Sequence, residues 1–94
     1  MKRYKTRPGI VLTSIAGQYV LVAVKSLRSI CPYSAQVNET TAFCWRMLEE
    51  GTDFESLLAG LSEEYEIDDM ETARADLTEL LEQMISANYL IEEP

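Results

Sequence analysis

The sequence contains no histidine, and only two of its 94 residues, Cys31 and Cys44, are cysteines. The commonest general base and a common metal ligand are therefore missing. The spacing of the two cysteines matches neither a CxxC pair nor a zinc site. We expect both thiols to be reduced, although the spacing alone leaves a disulfide between them open. The sequence therefore supports an enzymatic function least, and we predict no metal and no cofactor.

Long apolar runs are also missing, and none approaches the roughly 18 residues of a membrane span. The basic start, MKRYKTRPG, is not followed by the apolar core of a signal peptide, since Gly17 and Gln18 interrupt the next apolar stretch. We therefore expect a cytoplasmic protein without a membrane partner.

Charge is distributed unevenly along the chain. Residues 1–38 carry six basic and no acidic side chains, whereas residues 39–94 carry sixteen acidic and two basic ones. Such asymmetry is typical of two surfaces with different partners, and a solvated acidic helical half is the simpler interpretation. We assign residues 1–9 to a flexible basic arm and residues 10–92 to a single domain.

The first half of that domain has the pattern of β-strands. The segments IVLTSI and QYVLVAV are rich in β-branched and aromatic residues, which favour strands. Ala16-Gly17 separates them at the length of a two-residue hairpin turn. The segment YSAQV alternates, with Tyr33, Ala35 and Val37 on one face, and predicts a third strand.

The second half has the period of helices. Asn38 is a favoured N-cap, and Gly51 is suited to end the same helix in a left-handed conformation. Thr52 and Asp68 each stand three residues before a glutamate, which is capping-box spacing and predicts two further helix starts. Asn88 is a candidate C-terminal cap. Three strands followed by three helices predict an α+β domain with a three-stranded antiparallel sheet, or a winged-helix-like fold.

A winged-helix protein that bound DNA would present its third helix to the major groove. Between residues 68 and 87 this helix has one basic side chain, Arg74, against six acidic ones. Phosphate binding requires the opposite balance. We therefore predict no nucleic-acid partner, and a winged-helix DNA-binding protein remains the alternative function.

Four segments, in their order and spacing, resemble the PqqD-like family, whose members are also called RiPP recognition elements. These segments are RPGIVLT, GQYVLVA, CPYSAQVNETTAFCWRMLEEG and ADLTELLEQMISANYLIE. The most specific part is a strand, then Asn-Glu-Thr, an apolar helix containing Trp45, and Glu-Gly. The resemblance covers residues 7–91.

The resemblance implies a winged-helix-like, non-catalytic chaperone or adaptor. Such proteins bind the leader of a ribosomally made precursor peptide and present it to a modifying enzyme, often a radical SAM protein, in natural-product biosynthesis. The founding member serves the synthesis of pyrroloquinoline quinone. The leader is added as a strand beside the third strand, here Tyr33–Val37, in a groove closed by the third helix, here about Asp69–Ala87.

These two elements supply the predicted peptide-binding residues, for each of which plain core packing is the alternative. They are Tyr33, Ser34, Ala35, Gln36 and Val37 on the strand and Arg74, Leu77, Leu81 and Met84 on the helix. We expect Arg74, Asp76 and Glu79 to set a charge preference at the rim of the groove. An open strand edge also allows a strand-swapped dimer beside the monomer. A structural subunit of an enzyme complex, without peptide contact, is the third candidate function.

Overall fold

Two small sheets and three helices make up the computed structural model, which describes residues 2–31 and 34–93. In chain order the elements are β1 (Arg3–Thr6), β2 (Ile10–Ile15), β3 (Gln18–Ala23), β4 (Ser34–Val37), α1 (Glu39–Glu49), β5 (Thr52–Asp53), α2 (Phe54–Glu64), α3 (Met70–Ser86) and β6 (Leu90–Glu93). A short 3₁₀ turn at Lys25–Leu27 lies between β3 and β4.

Strands β2, β3 and β4 form an antiparallel sheet in that order. Ile15 pairs with Gln18, which leaves Ala16 and Gly17 as the two turn residues. Both have positive φ, 52° and 79°, as in the type I′ turn that matches the twist of its flanking strands. The predicted α+β class, the three-stranded antiparallel sheet and the three helices that follow it are confirmed.

A second sheet joins the two ends of the chain. β1 pairs antiparallel with β6, from Arg3 opposite Glu93 to Thr6 opposite Leu90, and its first two residues also pair with β5. Residues 3–6 are thus the central strand of a sheet, and the prediction of an arm was wrong for them. Basic composition is a local signal, and it carries no information about a partner strand at the far end of the chain.

Each helix begins at an Asn or Asp cap, because these short side chains reach the free amides of the first turn. The Oδ1 atom of Asn38 accepts the Thr41 amide at 2.8 Å, as predicted for α1. The caps of α2 and α3 are Asp53 and Asp69, each one residue later than the capping-box spacing indicated. The longest helix described is α3, with 17 residues. None of the described helices combines the length and apolarity needed to cross a membrane.

The end of α3 is a Schellman motif at Asn88, which has a φ of 63°. The amide of Asn88 donates to the Ile85 carbonyl at 3.0 Å, and the amide of Tyr89 donates to the Met84 carbonyl at 2.9 Å. These bonds satisfy two carbonyls that the helix leaves unpaired and turn the chain back toward β6. The predicted C-terminal cap at Asn88 is confirmed.

Asn88 also ties the end of α3 to the chain that leads into β4. Its side-chain amide donates to the Ile30 carbonyl at 2.6 Å. Its own backbone carbonyl accepts hydrogen bonds from Arg7 Nε at 2.7 Å and from Cys31 Sγ at 3.1 Å. One residue therefore holds together the end of α3, the segment after β1 and the segment before β4.

The core is built from all three helices and from the inner face of the larger sheet. Trp45 and Leu48 of α1 are fully buried, and the ring of Tyr89 meets the Trp45 ring edge-on at 6.3 Å between centroids. Cys31 and Cys44 are buried and free. Burial raises the pKa of the Cys44 thiol to about 11, so Cys44 is part of the packing rather than a reactive group.

Replacing Asn88 with alanine should destabilise the fold by about 1–2 kcal/mol. The change removes the hydrogen bond to Ile30 and places a residue that disfavours positive φ in a left-handed conformation. Asn88→Gly loses the hydrogen bond but adopts this φ without strain, so its loss should be smaller. Urea unfolding of the three proteins measures both losses. A glycine variant less stable than the alanine variant would contradict the importance of the positive φ.

The Cys44 thiol should resist alkylation in the folded protein. With a pKa of about 11, about one thiol in a thousand is ionised at pH 8, and no side-chain atom is open to the reagent. Iodoacetamide labelling followed by mass spectrometry should modify Cys44 only as fast as the protein unfolds. Urea supplies the positive control, and rapid labelling of the native chain would show that this site opens locally.

Candidate functional site

The outer edge of β4 has no partner strand in the part of the chain that the structure describes. Backbone groups along an antiparallel strand alternate between facing the neighbouring strand and facing away from it. The Val24 amide donates to the Gly9 carbonyl at 2.9 Å. This bond identifies which residues of β3 direct their backbone groups toward β2 and which direct them away. By alternation, β3 turns the backbone groups of Tyr19 and Leu21 toward β4.

This alternation determines which residues of β4 are free to pair. Val37 lies opposite Tyr19 and Ala35 lies opposite Leu21, so both use their backbone groups in the sheet. Ser34 and Gln36, which alternate with them, direct their amides and carbonyls away from the sheet. The edge therefore presents two amides and two carbonyls in the geometry that an added strand requires.

A groove of about 330 Å³ lies between this edge and α3. Leu21 of the central strand and Tyr89 lie at its base, and both are buried. The first wall comes from β4 and the start of α1 and contains Ala35, Gln36, Val37, Asn38 and Thr41. The second wall comes from α3 and contains Leu80, Gln83, Met84 and Ala87. Among the described residues that line the groove, no side chain is charged.

A second hollow of about 440 Å³ continues the groove at the Asn38 end. The two hollows share Asn38, Thr41 and Leu80, so they adjoin each other along α3. The second hollow runs between α1, the end of α2 and α3. Its apolar wall contains Leu61, Tyr65, Ile67, Ala73 and Leu77, and Asp76 is the only acidic residue among the described ones that line it.

The structure places the predicted apolar residues of α3 on its inward-facing side, but only some of them line the groove. Met84 lines the groove, although it is 5% exposed and also belongs to the core. Leu77 lines the second hollow and is 2% exposed. Leu81 is 3% exposed and lines a different hollow together with Tyr4 and Phe54, so it does not line the groove.

Arg74 lies away from the groove. Its guanidinium forms a bidentate ion pair with Glu55, with both nitrogen-to-oxygen distances at 2.8 Å, and lies 5.9 Å from the centre of the Phe54 ring. This hydrogen bonding holds the pKa of the Glu55 carboxyl below its usual value. The pair joins α2 to α3 on the surface, and such exposed pairs contribute little to stability.

On the strand, Ala35, Gln36 and Val37 line the groove, and Ser34 lies exposed at its edge. Tyr33 lies outside the described residues. The predicted strand residues that are described are therefore brought together with Met84, whereas Arg74 and Leu81 are not.

Three residues of the α3 wall, Leu80, Gln83 and Ala87, were not among the predicted site residues. Leu80 belongs to the apolar stripe of α3, and it is only half-buried, unlike Leu77 and Leu81. Gln83 and Ala87 follow it at helical spacing on the same face. The sequence did contain a signal for this wall. The apolar stripe of α3 is wider than one packing surface requires, so one edge of the stripe must face something other than the core.

The family model for "Coenzyme PQQ synthesis protein D (PqqD)" matches residues 18–90, from the start of β3 to the start of β6. No curated protein sequence matches the chain.

Two solved structures share the fold. "Lasso peptide synthetase B1 complexed with the leader peptide" has a TM-score of 0.71 and 22% identity, over 94% of this chain and 96% of that chain. "TbiB1 in Complex with the TbiA(beta) Leader Peptide" has a TM-score of 0.72 and 22% identity, over 92% of this chain and 93% of that chain. Since the family model spans well over half of the sequence, this protein belongs to the PqqD family.

Proposed function

We propose that this protein is a peptide-binding adaptor that holds the leader of a ribosomally made precursor peptide as an added strand on β4. The observation that carries the proposal is that, among residues 2–31 and 34–93, β4 has an unpaired edge and the groove beside it has no charged side chain in its lining. The two structural relatives, which were solved with leader peptides, support the same use of the fold. The adaptor performs no chemistry itself and presents the leader to a modifying enzyme in the cytoplasm. A radical SAM protein is the partner that the family resemblance favours.

Backbone pairing sets the geometry of the bound leader but contributes little to its affinity. Ordering each peptide residue costs about 1–2 kcal/mol, and each hydrogen bond to Ser34 or Gln36 returns a net 0.5–1.5 kcal/mol, roughly. These contributions nearly cancel. Strand addition alone is therefore sequence-independent and weak, and specificity must come from side chains.

Side chains of an added strand alternate, so every second residue of the leader points into the groove. There it meets Val37 on one wall and Leu80 and Met84 on the other. Each apolar side chain that is fully buried contributes about 1.5–3 kcal/mol. Two or three such anchors account for micromolar affinity. The leader is then selected by apolar residues spaced two apart.

Gln36→Pro should reduce the affinity of the protein for the leader of its precursor peptide by at least about ten-fold. Proline removes the outward amide of residue 36, and its ring fills the place of the guest carbonyl, while the inward bonds of Ala35 and Val37 remain. Gln36→Ala keeps the amide and should bind normally. Isothermal titration calorimetry measures the affinities, and circular dichroism confirms folding.

Ser14→Pro is the matched control on the other open edge of the same sheet, because Ser14 also directs its amide outward from β2. It should bind the leader with unchanged affinity. A loss of affinity in Ser14→Pro with none in Gln36→Pro would move the binding site to β2 and reject the groove.

Leu80→Gln should lower the affinity for the leader about ten-fold or more, since it removes an apolar contact from the groove wall without adding charge. Leu80 is only half-buried, so the variant should remain folded. Thr78→Gln, on the opposite side of α3, controls for a change in helix surface. Equal affinities of Leu80→Gln and the unmodified protein would show that this wall does not contact the peptide.

A further inference from the structure

The hollow at the Asn38 end of the groove combines an apolar wall with one carboxylate, counted over the lining residues that the structure describes. Leu61, Ile67, Leu77 and Leu80 supply the apolar surface, and Asp76 lies in the lining. Asp76 is exposed and forms no hydrogen bond or ion pair with another described residue. The hollow is therefore suited to a side chain that is apolar along its length and charged at its end.

The surroundings of the hollow are negative. No lysine or arginine lines either the groove or the hollow among the described residues. The nearest cation along α3, Arg74, is already paired with Glu55. Burial raises the pKa of the Tyr65 phenol in the hollow wall, and the charges of Glu39 and Glu64 raise it further. A second carboxylate would be repelled here, and a cation would be attracted.

We propose that this hollow binds an arginine or lysine of the guest peptide, with the alkyl stem along Leu80 and the cationic group beside Asp76. The proposal rests on the proposed function, because it needs a peptide strand on β4 to deliver the side chain. It assigns to the leader a chemical feature beyond apolar anchors, namely one basic residue at a defined place.

The geometry of strand addition also restricts where the basic residue can lie relative to the apolar anchors of the peptide. Groove and hollow lie on the same side of the added strand, since both lie along α3 and share Leu80. Successive side chains of a strand point to opposite sides. The basic residue must therefore lie at an even offset, two or four positions, from an apolar anchor that enters the groove. A basic residue at an odd offset would point away from Asp76.

Affinity selection from a random 12-residue peptide library tests the inference with the complete, folded chain. The selection is run in parallel on the unmodified protein, on Asp76→Asn, and on Glu49→Gln as a control with the same charge change on α1. We expect lysine and arginine to be enriched at even offsets from apolar residues with the unmodified protein and with Glu49→Gln. The enrichment should disappear with Asp76→Asn.

A synthetic copy of one selected peptide then gives the size of the effect. Replacing its basic residue with methionine keeps most of the stem and removes the charge, and should weaken binding about two- to five-fold, the range of a partly exposed ion pair. The same substitution should have no effect on binding to Asp76→Asn, and raising the salt concentration should shrink the difference.

The outcomes separate this inference from the proposed function. If no peptide is enriched on the folded, unmodified protein, the proposed function fails, and the inference fails with it. If peptides are enriched without a basic residue at the expected offset, or if the preference survives in Asp76→Asn, peptide binding stands and the inference is overturned.

Discussion

The groove depends on one residue, Asn88, which fixes the end of α3 relative to the chain entering β4. Its side chain bonds the Ile30 carbonyl, and its backbone carbonyl receives bonds from Arg7 and Cys31. The two walls come from segments far apart in the sequence, and their separation decides whether a peptide strand fits between them. Hydrogen bonds of 2.6–3.1 Å connect Asn88 to Arg7, Ile30 and Cys31, and the left-handed conformation of Asn88 ends α3 beside them.

Helix α3 serves three environments at once, which explains its composition. Leu77 and Leu81 face the interior, Leu80 faces the groove, and Glu79 and Glu82 face water. An apolar stripe limited to the core would leave the groove with a polar wall. A stripe wider than the one observed would expose large apolar side chains to water. The half-buried position of Leu80 is the compromise between these demands, and it supplies the apolar contact that strand pairing lacks.

Local features of the fold could be predicted from the sequence, and non-local ones could not. The Ala16-Gly17 turn and the Asn38 cap depend on a few adjacent residues, so their sequence signals were sufficient. The pairing of β1 with β6 joins the two ends of the chain, and no local pattern predicts it. For the site, the strand followed from its alternation and the family resemblance. The side of α3 that faces it did not, because the apolar stripe has several members and only tertiary packing decides which of them remain half-exposed.

In the part of the chain that the structure describes, the larger sheet has two open edges, and the helices beside them make the edges unequal. Along β2 the neighbouring helix is α1, whose Arg46 and Glu49 line a shallow hollow of about 260 Å³ there, with the Arg46 guanidinium 5.5 Å from the centre of the Tyr19 ring. A peptide strand on this edge would have to desolvate both charges, and charged side chains are a common means of protecting a sheet edge. Along β4 the neighbouring helix presents Leu80, Met84 and Ala87 instead. Both edges offer unpaired backbone groups, so under the proposed function the side chains of α1 and α3 are what would favour peptide addition at β4.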